Sequence, residues 1–277
     1  MSHDEQLAWE ARAGKPVAVA SFGAAVAAIA AGVYLPLALS NSEDGADGLL
    51  QSADLEPSDF VVAGVLQALG LLLLVPALLY LFRATRYRNQ QVMPAAAVLA
   101  VLGAVTLAVI TVLRQLELID IAHGFFPEKA DVPDVEQAAE DHIEDELSPA
   151  LQGIGLGGSI ALAFAVIMIA LNAMRAGLIS RFMGILGIFV GVVLVIPLGV
   201  QILQLFWFAA LGLLFLDRWP GGRGPAWQTG EAIPWPGAAA QREEIERRRE
   251  EREPPEEPEP EPETPRPASR KRRKKRR

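Results

Sequence analysis

Charged residues make up 21% of this chain, yet several long stretches contain none of them. Four of these stretches cover residues 60–82, 89–113, 152–174 and 182–216, and each is dominated by aliphatic residues. Uncharged apolar runs of about 20 residues match the hydrocarbon core of a bilayer, whereas core helices of soluble proteins are usually shorter. The pattern therefore predicts an all-α fold, a polytopic bundle of transmembrane helices.

The last uncharged stretch, residues 182–216, is too long for one crossing. As a single helix its 35 residues would extend about 52 Å, against a hydrocarbon core of about 30 Å. Pro197 and Gly199 can form a turn in the middle, so the sequence predicts a hairpin of two short spans, with a broken or re-entrant segment as the alternative. The transmembrane domain, residues 16–217, then contains about six spans: 16–39, 60–82, 92–113, 150–174, 177–195 and 200–216.

The distribution of basic residues predicts the orientation of the spans. Loops 83–91 and 175–181 contain arginines and no acid, whereas loops 40–59 and 114–149 contain six and eleven acids. Basic residues accumulate in cytoplasmic loops. We therefore expect a multi-pass protein of the plasma (inner) membrane, with the N-terminal segment 1–15 and the C-terminus both in the cytoplasm.

After the last span the chain changes character twice. Residues 218–236 are rich in Gly, Pro and Trp, and we expect this juxtamembrane segment to dock against the inner ends of the helices. Its tryptophans are predicted interfacial anchors, because the amphipathic indole ring is stable at the level of the lipid head groups; they are Trp219, Trp227 and Trp235. Residues 237–277 form a predicted disordered tail, rich in Pro and Glu, that ends in a polybasic octet.

The octet is predicted to contact anionic lipid head groups, since each basic residue near such a surface contributes about 1 kcal/mol of attraction. Nucleic acid would use the same electrostatics, but no aromatic residue is interleaved to stack on bases. Lipid is therefore the favoured partner. The residues concerned are Arg270, Lys271, Arg272, Arg273, Lys274, Lys275, Arg276 and Arg277.

No ionisable side chain lies deep within a span, which argues against ion-coupled transport. The favoured interpretation is a structural or interaction protein of the membrane, with a homo-oligomer or another membrane protein as partner. The alternative is a small-solute transporter or channel. Its path would be lined by a polar cleft of four amide residues, Gln67, Asn172, Gln201 and Gln204.

The sequence predicts no enzyme activity, cofactor or metal site. The spans contain no acid–base pair and no activated nucleophile, and the chain has no cysteine. The glycines of 153–158 resemble a dinucleotide fingerprint, but they open a span instead of following a strand, so close helix packing explains them better. In the acidic run 140–146 no third or fourth metal ligand is fixed by spacing.

Two blocks carry a family resemblance. Residues 172–184, NAMRAGLISRFMG, and the block from Phe206-Trp207 through RWPGGRGPAWQTGEAIPWP resemble an uncharacterised family of bacterial multi-span membrane proteins, a domain-of-unknown-function group. The resemblance lies mainly within residues 172–236. It implies a polytopic plasma-membrane protein and brings no catalytic residues.

Overall fold

A computed structural model describes residues 2–39, 45–129, 134–196, 201–220, 222–235 and Arg247. The rest of the predicted C-terminal tail and the predicted turn at Pro197 and Gly199 lie outside these residues. The described part of the chain is helical, with no strand. Its helices are α1 (His3–Ala38), α2 (Ala46–Leu55), α3 (Pro57–Arg88), α4 (Ala95–Lys129), α5 (Val135–Glu146), α6 (Pro149–Arg175), α7 (Arg181–Val195), α8 (Gln201–Phe215) and α9 (Pro225–Thr229).

Four of these helices, α1, α3, α4 and α6, are long and apolar enough to cross a membrane. Helices α3 and α6 include the predicted spans 60–82 and 150–174, whereas α1 ends one residue before the end of span 16–39 and α4 begins three residues after the start of span 92–113; all four helices are longer than the spans predicted for them. The extension of α1 has a local cause, since a capping box begins the helix at His3: the Glu5 amide donates to Ser2 Oγ, and the Ser2 amide donates to the Glu5 carboxylate.

The fifth and sixth predicted spans coincide with two shorter apolar helices, α7 and α8. Each has 15 residues, about 22 Å of helix, which is less than the roughly 30 Å of a hydrocarbon core. Gly187 of α7 lies against the Trp207 ring of α8, and the Trp207 indole N–H donates to the Met183 carbonyl at 3.0 Å. The two helices therefore pack as a pair of short apolar helices beside the four long ones.

The bundle has two ends of opposite character. At the acidic end, where α3 and α6 begin, the amphipathic helices α2 and α5 pack over α3 and α4. Their apolar faces enclose a small core of Leu50, Ala53, Phe60, Ile121, Ala122, Phe125 and Ala139. At the arginine end, where α1 and α4 begin and α3 and α8 end, lie Arg83, Arg86 and Arg88.

The six apolar helices surround a common interior. Helix α1 packs against α3 and α8, α3 also packs against α4, α4 against α6, and α6 against α7, which contacts α8. Toward the arginine end the interior is filled by fully buried side chains such as Leu78, Leu81 and Leu211.

Residues 217–220 and 222–235, which belong almost entirely to the predicted juxtamembrane segment, fold back onto the arginine end. Trp227, in the short helix α9, is 5% exposed and donates its indole N–H to the Leu178 carbonyl at 2.7 Å. Its ring stacks on Tyr80 with 5.7 Å between centroids. We call residues 217–220 and 222–235 the docked segment.

Candidate functional site

A cavity of about 360 Å³ lies between α1, α3 and α8, with one residue of α4 at its wall. We call it the amide cavity, because the polar side chains among the residues that line it are those of Gln67, Gln115 and Gln204. The remaining lining is apolar: Ala24, Ala28, Ala31, Gly32, Leu35, Pro36, Ala63, Gly70, Leu71, Leu74, Leu205 and Phe208. None of these residues is ionisable. The volume is in the range of small-molecule sites.

The cavity exists because α1 presents small side chains to the interior. Ala24, Ala28, Ala31 and Leu35 recur three or four residues apart, which places them on one helix face. Gly70 lets α3 approach this face closely, since a Cβ on Gly70 would lie 3.3 Å from the Ala24 carbonyl. The small residues let the two helix backbones lie close together. Because few large side chains project from this face, the space beside the contact is left unfilled.

The three glutamines come from three different helices. Gln67 of α3 is exposed to the cavity, whereas Gln115 of α4 and Gln204 of α8 are half-buried. Within the described part of the chain, none of the three amides has a hydrogen-bond partner. Each amide group offers two donors and an acceptor with two lone pairs. A bound molecule can therefore satisfy groups that the protein leaves open.

The cavity is closed toward the arginine end. Leu74 and Phe208 form its floor, and the packed leucines of the interior lie beyond them. Gln67 itself lies about 12 Å along α3 from Asp59, the first-turn acid of that helix. The site is thus a pocket that reaches toward mid-bundle and ends there, and it is not an open pore.

The structure brings together two of the four residues predicted for a polar cleft. Gln67 and Gln204 both line the cavity, while the Asn172 amide donates within its own helix to the Met168 carbonyl at 2.7 Å. The side chain of Gln201 lies outside the described part of the structure. Gln115 was missed, because the neighbouring Arg114 and Glu117 place it outside the uncharged stretch that ends at Leu113.

The three predicted interfacial tryptophans all belong to the docked segment, but they differ in burial. Trp219 and Trp235 are half-buried against the core, whereas Trp227 is buried within it. Trp227 therefore packs against protein and not against lipid head groups. Tyr80, Phe215 and the guanidinium groups of Arg88 and Arg223 surround its ring.

A buried ion pair between α1 and α3 also binds the docked segment. Arg88 donates to both oxygens of the Glu10 carboxylate, at 2.6 and 2.9 Å, and its Nε and Nη2 also donate to the Ala226 carbonyl. The Gln6 amide donates to the same carboxylate at 2.7 Å. Neither Glu10 nor this contact could be predicted from the sequence, because the two partners lie on different helices and far apart along the chain.

The acidic end offers no metal centre among the residues that the structure describes. No three His, Asp or Glu side chains there are grouped so that they could hold a metal ion. His142 of α5 faces Phe125, with ring centroids 5.5 Å apart, and its Nε2 is buried without a hydrogen bond. His123 forms an ion pair with Asp54 at 3.5 Å when it is protonated.

Comparison with known protein families finds a match. The model of a family described as a domain of unknown function (DUF4386) matches residues 19–216, which run from the first turns of the apolar part of α1 to the end of α8. No curated protein matches the chain, and no solved structure does. All three cavity glutamines lie within the matched range, and the docked segment follows it.

Proposed function

The chain belongs to the family of the domain of unknown function DUF4386, and from its own geometry we propose that it is an integral membrane protein that binds a small uncharged molecule in the amide cavity. The observation that carries this proposal is the convergence of Gln67, Gln115 and Gln204 on an otherwise apolar pocket. A few convergent polar groups in an apolar pocket are typical of a ligand site.

The lining defines the class of ligand. An ionised ligand would have to move from water into a cavity that offers it no charged partner. This desolvation would cost several kcal/mol of binding free energy. A neutral ligand with an apolar body and an amide, hydroxyl or carbonyl head group meets alanine and leucine walls and open carboxamides. Each new hydrogen bond contributes about 1 kcal/mol, so the ligand class is a small neutral amphiphile.

The closed floor favours binding over conduction. A channel needs a continuous polar path, whereas Leu74 and Phe208 are followed by packed leucines. Transport of the bound molecule would require this layer to separate, as in carriers that open alternately to the two sides. A carrier for a neutral solute is therefore the second candidate, and the cavity is the feature that favours it.

The structural or interaction role remains the alternative to ligand binding. It is supported by the docked segment, which ties α1, α3 and the α6–α7 connection together at the arginine end through Arg88 and Trp227. In this role the cavity would be a packing defect and no ligand would stabilise the protein.

The membrane arrangement belongs to the same proposal. We place α1, α3, α4 and α6 across the plasma membrane and insert α7 and α8 as a hairpin, which makes six crossings if the bilayer thins locally to their length. The arginine end faces the cytoplasm by the distribution of basic residues, so both termini are cytoplasmic. The octet at the C-terminus then reaches anionic lipid on that side.

A matched series of six-carbon probes tests the ligand class. Hexanamide, hexanol, hexanoate and hexylammonium share one apolar body and differ in head group. We expect hexanamide and hexanol to raise the unfolding temperature of the protein in lipid nanodiscs, since a ligand that binds the folded state stabilises it. Tryptophan fluorescence measures the unfolding. The two charged probes should have no such effect.

The variants Gln67→Leu and Gln204→Leu should remove the response to hexanamide, whereas Gln152→Leu is the matched control, because Gln152 is an exposed residue of α6 outside the cavity. Equal stabilisation by all four probes, or an unchanged response in both cavity variants, would refute the proposed site.

A further inference from the structure

A second cavity, of about 930 Å³, lies at the arginine end, where three separate parts of the chain meet. We call it the arginine groove. The first turns of α1 contribute His3, the last turns of α3 contribute Arg83, Arg86 and Tyr87, and the docked segment contributes Gly230 and Glu231. We propose that this groove binds a phosphate group, carried either by an anionic lipid or by a free phosphate compound.

The groove is built by the docked segment. Gly230 adopts a left-handed conformation with φ +69°, and His3 lies directly against its Cα, in space that a side chain at this position would occupy. The His3 ring also lies 6.4 Å from the Tyr87 ring. The imidazole and the phenol are therefore held side by side at one wall by the turn that follows α9.

Among its described residues, the lining of the groove is richer in basic than in acidic side chains. It contains Arg83, Arg86 and Arg88 and one carboxylate, that of Glu231, and Arg88 is already paired with Glu10 beneath it. The Arg83 guanidinium lies 4.2 Å from the centroid of the Trp9 ring, and that of Arg86 lies 6.0 Å from the Phe82 ring. Arg86 forms no ion pair with any carboxylate that the structure describes.

This arrangement suits a phosphate group. A guanidinium presents parallel N–H donors that fit two oxygens of one phosphate, and two such groups on adjacent turns can hold one phosphate from two sides. His3 and Tyr87 add further hydrogen-bond donors at the wall. Phe82 offers an apolar surface beside them, which suits the glycerol and first methylenes of a lipid as well as a free organic phosphate.

Native mass spectrometry of the intact, full-length protein tests this site and separates the two sources. The protein is titrated with phosphatidylglycerol or phosphatidylcholine, each with and without inorganic phosphate. We expect Arg86→Gln to weaken retention of phosphatidylglycerol about fivefold, the effect of one basic residue near an anionic group. The matched control is Arg175→Gln, an exposed arginine at the same end outside the groove, which should leave retention unchanged.

The polybasic tail is identical in all of these proteins, so it contributes equally to each. Competition by inorganic phosphate would identify a free phosphate compound as the ligand, and preference for phosphatidylglycerol without competition would identify a lipid; both support the groove. Equal retention by the wild type and Arg86→Gln would overturn it, and so would an equal loss in Arg175→Gln. Neither result bears on the amide cavity, which shares no residue with the groove.

Discussion

The carboxylate of Glu10 and the guanidinium of Arg88 form a two-point ion pair inside the protein, with the Arg88 side chain 0% and the Glu10 side chain 3% exposed. The same guanidinium donates to the Ala226 carbonyl of the docked segment. One buried cation thus joins α1, α3 and the segment that follows α8. Charges in such a place remain stable only as a pair with their hydrogen bonds made.

The first prediction concerns this pair. Glu10→Gln leaves the Arg88 charge buried without its counter-ion, and loss of one partner of a buried pair typically costs about 3–5 kcal/mol. We expect a marked fall in the thermal unfolding temperature of the detergent-purified protein. Arg88→Gln should have a similar effect.

The double variant Glu10→Gln with Arg88→Gln should lose less stability than the sum of the two single variants, because it removes both charges together. Arg12→Gln is the control, since Arg12 is exposed and bonds to the Ala8 carbonyl of its own helix. Strictly additive losses would show that the two side chains act independently.

The second prediction concerns Trp227. Its replacement by Phe removes the donor to the Leu178 carbonyl and leaves that carbonyl unpaired, at a cost of about 1–3 kcal/mol. Replacement by Ala also opens a cavity beside Tyr80 and Phe215, and costs more. We expect Trp227→Ala to release the docked segment, which limited trypsin digestion would detect as faster cleavage after Arg223.

Arg223 reports on docking because its side chain is held by the Leu214 and Phe215 carbonyls at the end of α8. Trp219→Ala provides the comparison, since Trp219 is half-buried at the edge of the core. If cleavage after Arg223 is equally slow in wild type and Trp227→Ala, then Trp227 does not hold the segment in place.

The long helices could be predicted from the sequence, because each crossing of a bilayer needs a long apolar run. The full length of α4 could not. Arg114, Glu117 and Asp120 interrupt its hydropathy, yet the helix continues to Lys129. Glu117 accepts from the Ser148 amide at 2.8 Å, and this tertiary contact is invisible in the local pattern.

The candidate site was only partly predictable for a similar reason. Composition within spans identified Gln67 and Gln204, but convergence with Gln115 depends on how three helices rotate about their axes. Asn172 also carries a carboxamide within a predicted span, yet near the end of α6 it turns back and donates to its own backbone. The spacing of the glycines in 153–158 also did not show which of them contact another helix, although some of them do and others meet no neighbour.

The third prediction contrasts a glycine at a close helix contact with a glycine that meets no neighbour. A Cβ on Gly103 of α4 would lie 2.6 Å from the Leu162 amide nitrogen of α6, whereas a Cβ on Gly153 of α6 would meet nothing within 4 Å. Gly103→Ala should therefore destabilise the protein, because backbone atoms of both helices must move. Gly153→Ala should be neutral or stabilise it by up to about 1 kcal/mol, the gain in helix propensity.

Thermal unfolding of the two glycine variants side by side checks this contrast, and each serves as the control of the other. A loss of stability in Gly153→Ala as large as that in Gly103→Ala would mean that α6 has a contact at Gly153, such as a second copy of the chain in the membrane.

The fourth prediction concerns the polybasic octet, residues 270–277. Replacing its eight basic residues by glutamine should reduce binding of the protein's cytoplasmic face to vesicles that contain phosphatidylglycerol, and the difference should shrink as salt is raised, because salt screens exposed charges. Proteoliposome tethering to added vesicles measures this. Vesicles of pure phosphatidylcholine are the control, and equal tethering to both kinds by both proteins would eliminate lipid as the partner of the octet.

The amide cavity is tested most directly by thiol labelling, since the chain contains no cysteine and each substitution introduces a single thiol. We would compare Gln67→Cys, Gln115→Cys and Gln204→Cys with Leu78→Cys, whose position is fully buried beyond the cavity floor, in sealed vesicles treated with a membrane-impermeant maleimide. The three cavity positions should react from the side of the acidic end, hexanamide should slow that reaction, and Leu78→Cys should remain unlabelled. Failure of all three cavity thiols to react, or labelling that hexanamide leaves unchanged, would contradict a ligand site at these glutamines.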